Sequence, residues 1–346
     1  MRALFACSLP IRSLLLLSAS ATLFLTTTSA SGGAQAPDNR AGYDKAARAT
    51  VIHPAVVYLS ADADSQKVSE VTPGHEVVVT ERSGPWVKVF ANTDLQDKTE
   101  DEPEFGEQEI VTPASGWIRD KGVISPATPN GDVLLYGVAA GLEDEASQPH
   151  APKGADTAAH LLYRRVVEYF PRSPLAAESA WRAADVRWQI ERRDVSTLPS
   201  AKEQDAYLRP QIYEGEMKKV LKSYPGTKFA AMAAYEMIDN KLCGDWQGLP
   251  KCPEMEAGLY ERYAKQFPDG PKTAEALYNA AYREGVAVTM YTVDGNKRRA
   301  DAAASRTQAL AEEMRARFPQ SDFGARAESV AYRVEQGIAV YGSDRD

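Results

Sequence analysis

Few residues in this sequence have both the type and the spacing that catalysis or metal binding requires. His75-Glu76 begins like the zinc-protease motif H-E-x-x-H, but Val79 stands where the second histidine is needed. Asp62 and Asp64 are spaced like calcium ligands, yet the glycine and distal glutamate of a calcium-binding loop do not follow. G-x-S-x-G, phosphate-loop and dinucleotide-binding glycine patterns are also missing from the sequence. We therefore predict no catalytic residues, no metal and no cofactor, and expect the function to lie in binding surfaces.

The cysteines predict a disulfide bond. Cys243 and Cys252 are separated by eight residues, and the third cysteine, Cys7, lies in an N-terminal leader. Two closely spaced cysteines in an exported chain favour one disulfide, with two free buried thiols or half a metal site as the alternatives. The metal interpretation lacks partners, because the four histidines are scattered at positions 53, 75, 150 and 160.

The first 30 residues have the three parts of a secretory signal peptide. Arg2 and Arg12 make the start basic, residues 14–25 are apolar and uncharged, and small residues follow as far as Ala30. A membrane-spanning helix takes about 20 apolar residues, so cleavage is the favoured interpretation and a retained anchor is the alternative. Cys7 precedes the apolar stretch, which argues against lipid attachment there. The sequence thus predicts an exported protein of the periplasm or cell envelope, or a secreted one.

Composition and charge exclude one class of partner. The chain has 346 residues, of which 44% are hydrophobic and 25% charged, and this length suggests two or three domains. Without the first 30 residues it has 38 basic and 48 acidic residues, a net charge of −10. Nucleic-acid binding needs clustered Lys and Arg against the phosphates, so we predict no nucleic-acid partner.

One short pattern occurs four times in the C-terminal half. Each copy has an aromatic residue, then proline, then Ser, Thr or Gly two residues later. Proline ends one helix and biases the residue before it away from helical geometry, whereas Ser, Thr and Gly are helix-start residues. Each copy therefore predicts a helix, a tight turn and a second helix. An alanine six residues after each proline is expected to let the two helices approach closely; these are Ala177, Ala231, Ala274 and Ala325.

The pattern predicts eight helices in residues 156–340. They cover residues 156–170, 175–192, 203–223, 229–242, 253–267, 272–290, 297–318 and 323–340. The turn resembles that of the tetratricopeptide-like (TPR-like) repeats in periplasmic outer-membrane assembly lipoproteins and in the Tol-Pal coordinator family, which implies an all-α solenoid of about four hairpins. The lipid-attachment cysteine of those lipoproteins is missing. Repeat spacings of 54, 43 and 51 residues exceed the usual 34, so the extra length must lie in longer helices or linkers. A long bundle without repeats is the alternative.

Basic residues stand six positions before three of the four prolines. They are Arg165, Lys219 and Arg262, whereas Glu313 occupies the fourth position. One interpretation is that they are solvated cations near helix C-termini, where the helix dipole favours them. The other follows from the resemblance, because the first helices of TPR-like stacks line a concave surface: the three residues would form a basic stripe that binds an acidic partner.

Residues 49–125 predict a small antiparallel β-barrel. Short β-branched segments are separated by Gly and Pro. The sequences W-x-x-V at 86–89 and G-W-I at 116–118 resemble the pattern of the bacterial SH3-like (SH3b) domain. Packing of the tryptophans in the barrel core is one interpretation. The other, implied by the resemblance, is a groove for cell-wall peptide or protein formed by Tyr58, Trp86 and Trp117.

The remaining segments are predicted to be irregular. Residues 60–71 are expected to form a polar arc between strands, and residues 31–48 and 126–155 to be linkers, although residues 132–141 are apolar enough to dock on the barrel or on the first helix. Residues 92–112 form an acidic insertion with a net charge of −7. Such a run is expected to be solvated, with cation or partner binding as the alternative.

These predictions describe a multidomain α+β protein with a small all-β barrel followed by an all-α solenoid. The favoured function is a non-enzymatic adaptor of the cell envelope. It would bind envelope proteins or peptides through the repeats, and cell-wall peptide (peptidoglycan) or protein through the barrel. The alternative is an accessory or targeting component of a peptidoglycan-processing enzyme. No transmembrane helix is predicted in the mature chain, and peripheral association with the membrane is compatible with the sequence.

Overall fold

A computed structural model describes residues 47–96 and 114–342, in which a curled antiparallel sheet is followed by a series of helices. The fold class is therefore α+β, with the strands before the helices as predicted. The predicted signal peptide lies outside the described residues, as do nearly all of the linker at 31–48 and most of the acidic insertion.

Seven strands form the sheet, in the order β3-β2-β6-β5-β4-β1-β7, and all neighbouring strands are antiparallel. Alternate residues such as Val77, Val87, Val89 and Ile118 are fully buried in one core cluster. The strands are β1 (Arg48–Val51), β2 (Ala55–Tyr58), β3 (Lys67–Val71), β4 (Glu76–Ser83), β5 (Trp86–Ala91), β6 (Ala114–Arg119) and β7 (Val123–Ile124).

Strand β3 corrects the prediction of a polar arc at residues 60–71. It pairs with β2, and a register shift between Val57 and Tyr58 accommodates it. Only Val71 of this edge strand is buried, while Val68 is exposed. The strand therefore lacks the alternation of apolar and polar residues that identifies a strand in a sequence.

Nine helices occur in the described residues, and eight of them are the predicted ones. The helices are α1 (Gly131–Ala146), α2 (Ala155–Tyr169), α3 (Ala176–Ser196), α4 (Gly215–Ser223), α5 (Lys228–Glu236), α6 (Lys251–Gln266), α7 (Thr273–Val293), α8 (Lys297–Arg317) and α9 (Asp322–Glu335). They pack as successive hairpins, α2 with α3, α4 with α5, α6 with α7, and α8 with α9.

The four proline turns have nearly the same geometry. The aromatic residue before each proline ends its helix with φ between −127° and −131° and ψ between 50° and 67°. In each turn the carbonyl oxygen of this aromatic residue accepts a hydrogen bond from the backbone N–H two residues after the proline, as in Ser173 N–H to Phe170 O at 2.9 Å. The same chemistry thus builds the same turn four times, which makes the helical region a set of repeats.

The alanine six residues after each proline has the predicted role in only part of the repeats. Ala231 is buried and Ala274 packs against the core, but Ala177 is half-buried and Ala325 is exposed. The small residues at the helix contacts stand one residue before and two residues after this alanine, because those positions face the partner helix. The first set is Ala176, Ala230, Thr273 and Gly324, and the second is Ser179, Ala233, Ala276 and Ala327, all of which are buried.

Several segments differ from their predicted structure, and among them the helices predicted at 229–242 and 323–340 end early, at Glu236 and Glu335. The helix predicted at 203–223 begins only at Gly215, because Pro210 has no N–H to donate and holds Arg209 in an extended conformation. The linker predicted at 126–155 contains helix α1, which packs on α2. Its residues Leu135 and Ala139 are fully buried in a cluster with Ile124 of the sheet, so this segment docks on both the sheet and the helices.

The sheet and the first helices share a tightly packed junction. A Cβ atom added at Gly74, which has a φ of +89°, would lie 2.5 Å from Leu161 Cβ on α2. From the same helix, Arg165 donates a hydrogen bond from Nε to the carbonyl oxygen of Gly74 at 2.9 Å. All the described residues belong to one compact unit, so the sheet is not tethered to the helices by a flexible linker.

The predicted disulfide joins Cys243 and Cys252, and both residues are buried. It packs in a cluster with Trp246, Val286 and the C-terminal Val340. The bond therefore fixes the turn between α5 and α6 against later helices.

Removal of this disulfide in the Cys243→Ala, Cys252→Ala variant is expected to lower the free energy of unfolding by about 2–3 kcal/mol. The physical reason is that the bond restricts the unfolded chain over a short loop. Urea denaturation of the variant and of the oxidised wild type measures the difference. Equal stability of the two proteins would contradict this prediction.

None of the helices in the described residues has the length and apolar character needed to cross a bilayer.

Candidate functional site

The structure places Arg165 at the sheet–helix junction and not on an open surface. Its guanidinium donates from Nη2 to Asp94 Oδ2 at 2.6 Å and contacts Glu168, and the residue is only 5% exposed. Asp94 in turn accepts hydrogen bonds from His75 Nδ1 and from the backbone N–H of Glu76. Both interpretations of the basic residues are therefore wrong for Arg165, because a buried guanidinium is neither solvated nor open to a partner.

Lys219 and Arg262 are exposed, in agreement with either interpretation of these residues. Glu313, which replaces a basic residue in the fourth copy, pairs with Arg317 on the same helix. Lys219 has no ion-pair partner within residues 47–96 and 114–342. The two exposed cations thus lie on α4 and α6, the first helices of the second and third hairpins.

Lys219 lies on an open groove between α2, α3 and α4, which we call the α2–α4 groove. Its volume is about 270 Å³, close to the lower end of the range for ligand pockets. Apolar side chains form much of its lining, together with two cations and two acids. The apolar residues include Val167, Ala183 and Val220, the cations are Arg164 and Lys219, and the acids are Glu168 and Glu216. Arg164 pairs with Glu168 at 3.5 Å, so Lys219 is the lining cation that lacks an ion pair among the described residues. An apolar surface beside this cation suits a partner segment that carries both apolar and acidic side chains.

A buried ionic cluster supports one end of the α2–α4 groove. Glu216 lines the groove, and each of its carboxylate oxygens lies 3.1 Å from His160 Nε2. Arg187 on α3 approaches the same carboxylate at 3.6 Å. Burial by itself raises the pKa of Glu216, but the charge and hydrogen bond of His160 and the charges of Arg164 and Arg187 outweigh it and lower the pKa to about 2. Glu216 therefore stays ionised and joins α2, α3 and α4.

The Glu216→Gln variant is expected to be about 2–3 kcal/mol less stable than the wild type at pH 7. The folded-state pKa of Glu216 lies below its unfolded value, so its contribution to stability is complete above about pH 5 and is lost as the pH falls toward 2. The difference between the two proteins should accordingly shrink in acid. Urea denaturation at pH 7, 4 and 3 measures it, and a difference that does not change with pH would contradict the assignment.

The three aromatic residues predicted to form a groove in the barrel lie together on the sheet. Tyr58 is opposite Trp117 on neighbouring strands, and its ring meets Trp86 edge to face at 5.6 Å between centroids. Trp86 is 6% exposed and is covered by the Arg119 guanidinium at 4.0 Å from its ring centroid, so its main role is packing. Trp117 is half-buried, with Lys88 near its ring.

Close strand packing positions Trp117. A Cβ atom added at Gly116 would lie 2.5 Å from the carbonyl oxygen of Tyr58. Only glycine lets β6 approach β2 this closely, and the approach places Tyr58 and Trp117 opposite each other on neighbouring strands. The sheet thus presents one half-buried tyrosine and one half-buried tryptophan next to a lysine.

No metal site is found among the described residues, where no three or more His, Cys, Asp and Glu side chains converge in a metal-binding arrangement. Asp62 accepts a hydrogen bond from the backbone N–H of Asp64, so its carboxylate stabilises a turn.

Of the charged residues that line the α2–α4 groove, sequence reasoning singled out only Lys219 and missed Arg164, Glu168 and Glu216. Arg164 was not singled out, although it directly precedes Arg165, and Glu216 carried no signal because it belongs to no motif. Adjacent residues on a helix point in directions about 100° apart. If Arg165 faces one neighbour, Arg164 is therefore expected to face another surface.

Comparison with known proteins gives no family for this chain. No protein-family model matches it, and no curated protein matches it. Among solved structures, a de novo designed helical repeat protein is similar at 18% identity, with 60% of this chain and 95% of that chain covered and a TM-score of 0.22. A TM-score this low carries no argument about function. The class of protein is thus defined by the fold described above, an antiparallel sheet joined to a helical repeat region.

Proposed function

We propose that this chain is a non-enzymatic adaptor of the cell envelope, with TPR-like repeats that bind a protein partner and an SH3-like sheet that binds cell-wall peptide or protein. The observation that carries the proposal is the α2–α4 groove, an open apolar surface with Lys219 at its rim. Repeat proteins commonly use such surfaces to bind extended or helical segments. Export to the periplasm follows from the N-terminal sequence and belongs to the proposal.

Charge reversal at Lys219 tests the adaptor function. The Lys219→Glu variant is expected to capture about threefold to tenfold less of its acidic partner, because an attractive rim charge becomes a repulsive one. The measurement is quantitative mass spectrometry of proteins retained from an envelope extract by the immobilised chain. The chain without its signal peptide should be used whole, since the sheet and helices share a core.

The matched control is Lys265→Glu, which makes the same charge change at an exposed position of α6, away from the α2–α4 groove. It should retain the partner at the wild-type level. Undiminished capture by Lys219→Glu would remove the groove from the proposal. Arg165 is left out of this experiment because its substitution would disturb the fold.

The aromatic residues of the sheet support the second half of the proposal. Trp117 and Tyr58 present half-buried rings, and Lys88 adds a charge that fits a peptide carboxylate. Sedimentation with purified cell wall should retain the wild type and lose the Trp117→Ala variant, with Tyr332→Ala, at an exposed aromatic residue of α9, as the control. If the captured partner is a cell-wall hydrolase, the alternative function, a targeting part of a peptidoglycan-processing enzyme, is favoured.

A further inference from the structure

The connection between α3 and α4 is unusually long for a helical repeat. It covers residues 197–214, 18 residues that contain two short 3-10 turns but no α-helix or strand. Loops of this length in compact domains are uncommon and usually functional, because ordering them costs conformational entropy. We call it the 197–214 segment. It contains much of the extra length that separates the first two repeats.

The 197–214 segment is held in place by specific hydrogen bonds. Arg209 donates from Nε to Ala201 O at 3.1 Å and from Nη1 to Leu242 O at 2.6 Å. Asn240 bonds both the N–H and the carbonyl oxygen of Ile212. These contacts tie the segment to the turn at 239–245, which contains Cys243 of the disulfide.

Close backbone approach adds to this attachment. Gly244 donates its N–H to Glu203 O at 3.1 Å, and a Cβ atom at Gly244 would lie 2.2 Å from that oxygen. The disulfide at Cys243 fixes the neighbouring residue. The 197–214 segment and the turn at 239–245 are therefore held in a fixed arrangement before any ligand binds.

Between these two sides lies a cleft of about 370 Å³, which we call the polar cleft. This volume lies within the range typical of small-molecule sites. Its lining combines apolar residues, such as Val195 and Ile212, with charged ones. The cleft is separate from the α2–α4 groove, with which it shares no lining residue.

The charges in the polar cleft are divided between its two sides. The side formed by α3 and the 197–214 segment contributes the cations Arg192, Lys202 and Arg209. The side formed by the 239–245 turn contributes the anions Asp239 and Asp245. Arg192, Lys202 and Asp245 are exposed and can reorient toward a ligand. A molecule with opposite charges at its two ends and an apolar middle would complement this arrangement.

We propose that the polar cleft binds a short peptide with free ends, its carboxylate against Arg192 and Lys202 and its ammonium against Asp239 and Asp245. The apolar side chains of the peptide lie against Val195 and Ile212. Binding is non-covalent and independent of the partner at the α2–α4 groove.

Isothermal titration of the whole mature chain with L-alanyl-L-leucine tests the proposal. The free dipeptide is expected to bind at least about tenfold more tightly than its N-acetylated form and its C-amidated form, since each blocked end loses a charge-assisted contact. Absence of binding of the free dipeptide up to about 10 mM would overturn the proposal. Equal binding of all three peptides would overturn it as well, because recognition of the two charged ends would then be lacking.

Two variants assign the ends of the peptide. Lys202→Met should weaken binding of the free dipeptide but change little for the C-amidated form, which has no carboxylate to lose. Asp245→Asn should likewise weaken binding of the free dipeptide but change little for the N-acetylated form, which has no ammonium group. Asp245 Oδ1 accepts a hydrogen bond from Gln247 N–H, which asparagine can still accept, so the turn is preserved. The control Lys222→Met lies on α4 outside the cleft and should bind like the wild type. If both cleft variants bind all three peptides as the wild type does, the site lies elsewhere and the proposal fails.

Discussion

Replacement of Glu256 by alanine is expected to lower the free energy of unfolding by about 3–5 kcal/mol, because it leaves the buried Arg283 without its carboxylate. Both side chains are fully buried, and Arg283 Nε donates to Glu256 Oε2 at 2.7 Å. Glu256 Oε1 also accepts hydrogen bonds from the backbone N–H of Cys243 at 2.8 Å and from Trp246 Nε1 at 3.1 Å. One carboxylate thus satisfies three donors that would otherwise be buried with fewer partners. Urea denaturation followed by circular dichroism measures the loss.

The Glu256→Met, Arg283→Met double variant is the informative control. When both charges are replaced by apolar side chains of similar length, no uncompensated charge remains, and the loss should be clearly smaller than for Glu256→Ala. A double variant as unstable as the single one would show that the lost hydrogen bonds to Cys243 and Trp246 outweigh the charge. A single variant within 1 kcal/mol of the wild type would contradict the prediction itself.

Replacement of Arg165 by methionine is expected to cost a similar 3–5 kcal/mol, and to weaken the attachment of the sheet to the helices. Methionine retains the apolar stem but removes the donor to the carbonyl oxygen of Gly74 and the cation beside Asp94, which keeps only its contacts with His75 and the Glu76 N–H. Burial raises the pKa of Asp94, but His75 and Arg165 outweigh it and hold the pKa below its ordinary value. That contribution to stability is present above the unfolded pKa near 4 and is lost as the pH falls. The variant should therefore lose less stability on acidification than the wild type does.

The neighbouring Arg164 provides a matched control. It forms only a partly exposed pair with Glu168 at 3.5 Å, so Arg164→Met should stay within about 1 kcal/mol of the wild type. Limited proteolysis reports on the junction, since Arg165→Met should expose cleavage sites that Arg164→Met does not. Similar stability of the two variants would contradict the prediction that Arg165 attaches the sheet to the helices.

The helical region could be predicted because its signal is local. Proline, the aromatic residue before it and the helix-start residue after it act within a few residues, and the same backbone geometry results in all four copies. The small residues at helix contacts were assigned to the wrong position, by one or two residues. Which face of a helix meets its partner depends on the rotation of the hairpin, and an aligned alanine alone does not determine that rotation.

Helix α1 was missed for a different reason. It buries only a narrow strip that includes Leu135 and Ala139, while Val133 and Leu134 are exposed. The apolar residues therefore do not follow one face, and a pattern search finds no amphipathic helix. Its contacts with Ile124 and with α2 stabilise it, and these are tertiary interactions.

The roles of the basic residues could be predicted only in part. Lys219 was identified from its repeat position and lies on the α2–α4 groove, whereas Arg165 occupies the equivalent position and is buried. The difference arises because Arg165 lies against the sheet end of the molecule, where it contacts Gly74 and Asp94, whereas Lys219 faces the open groove. Repeat symmetry in the sequence contains no information about that neighbour.

Helix α2 carries Arg165 toward the sheet and Arg164 toward the groove, on consecutive residues. The same helix therefore joins the sheet to the groove, so the two proposed binding surfaces would lie at a constant spacing. A bivalent ligand would gain avidity only if its own two epitopes matched that spacing, because the sheet and the helices pack together and keep the distance between the two surfaces fixed. Binding at both surfaces would thus depend on the distance between the two epitopes of the ligand.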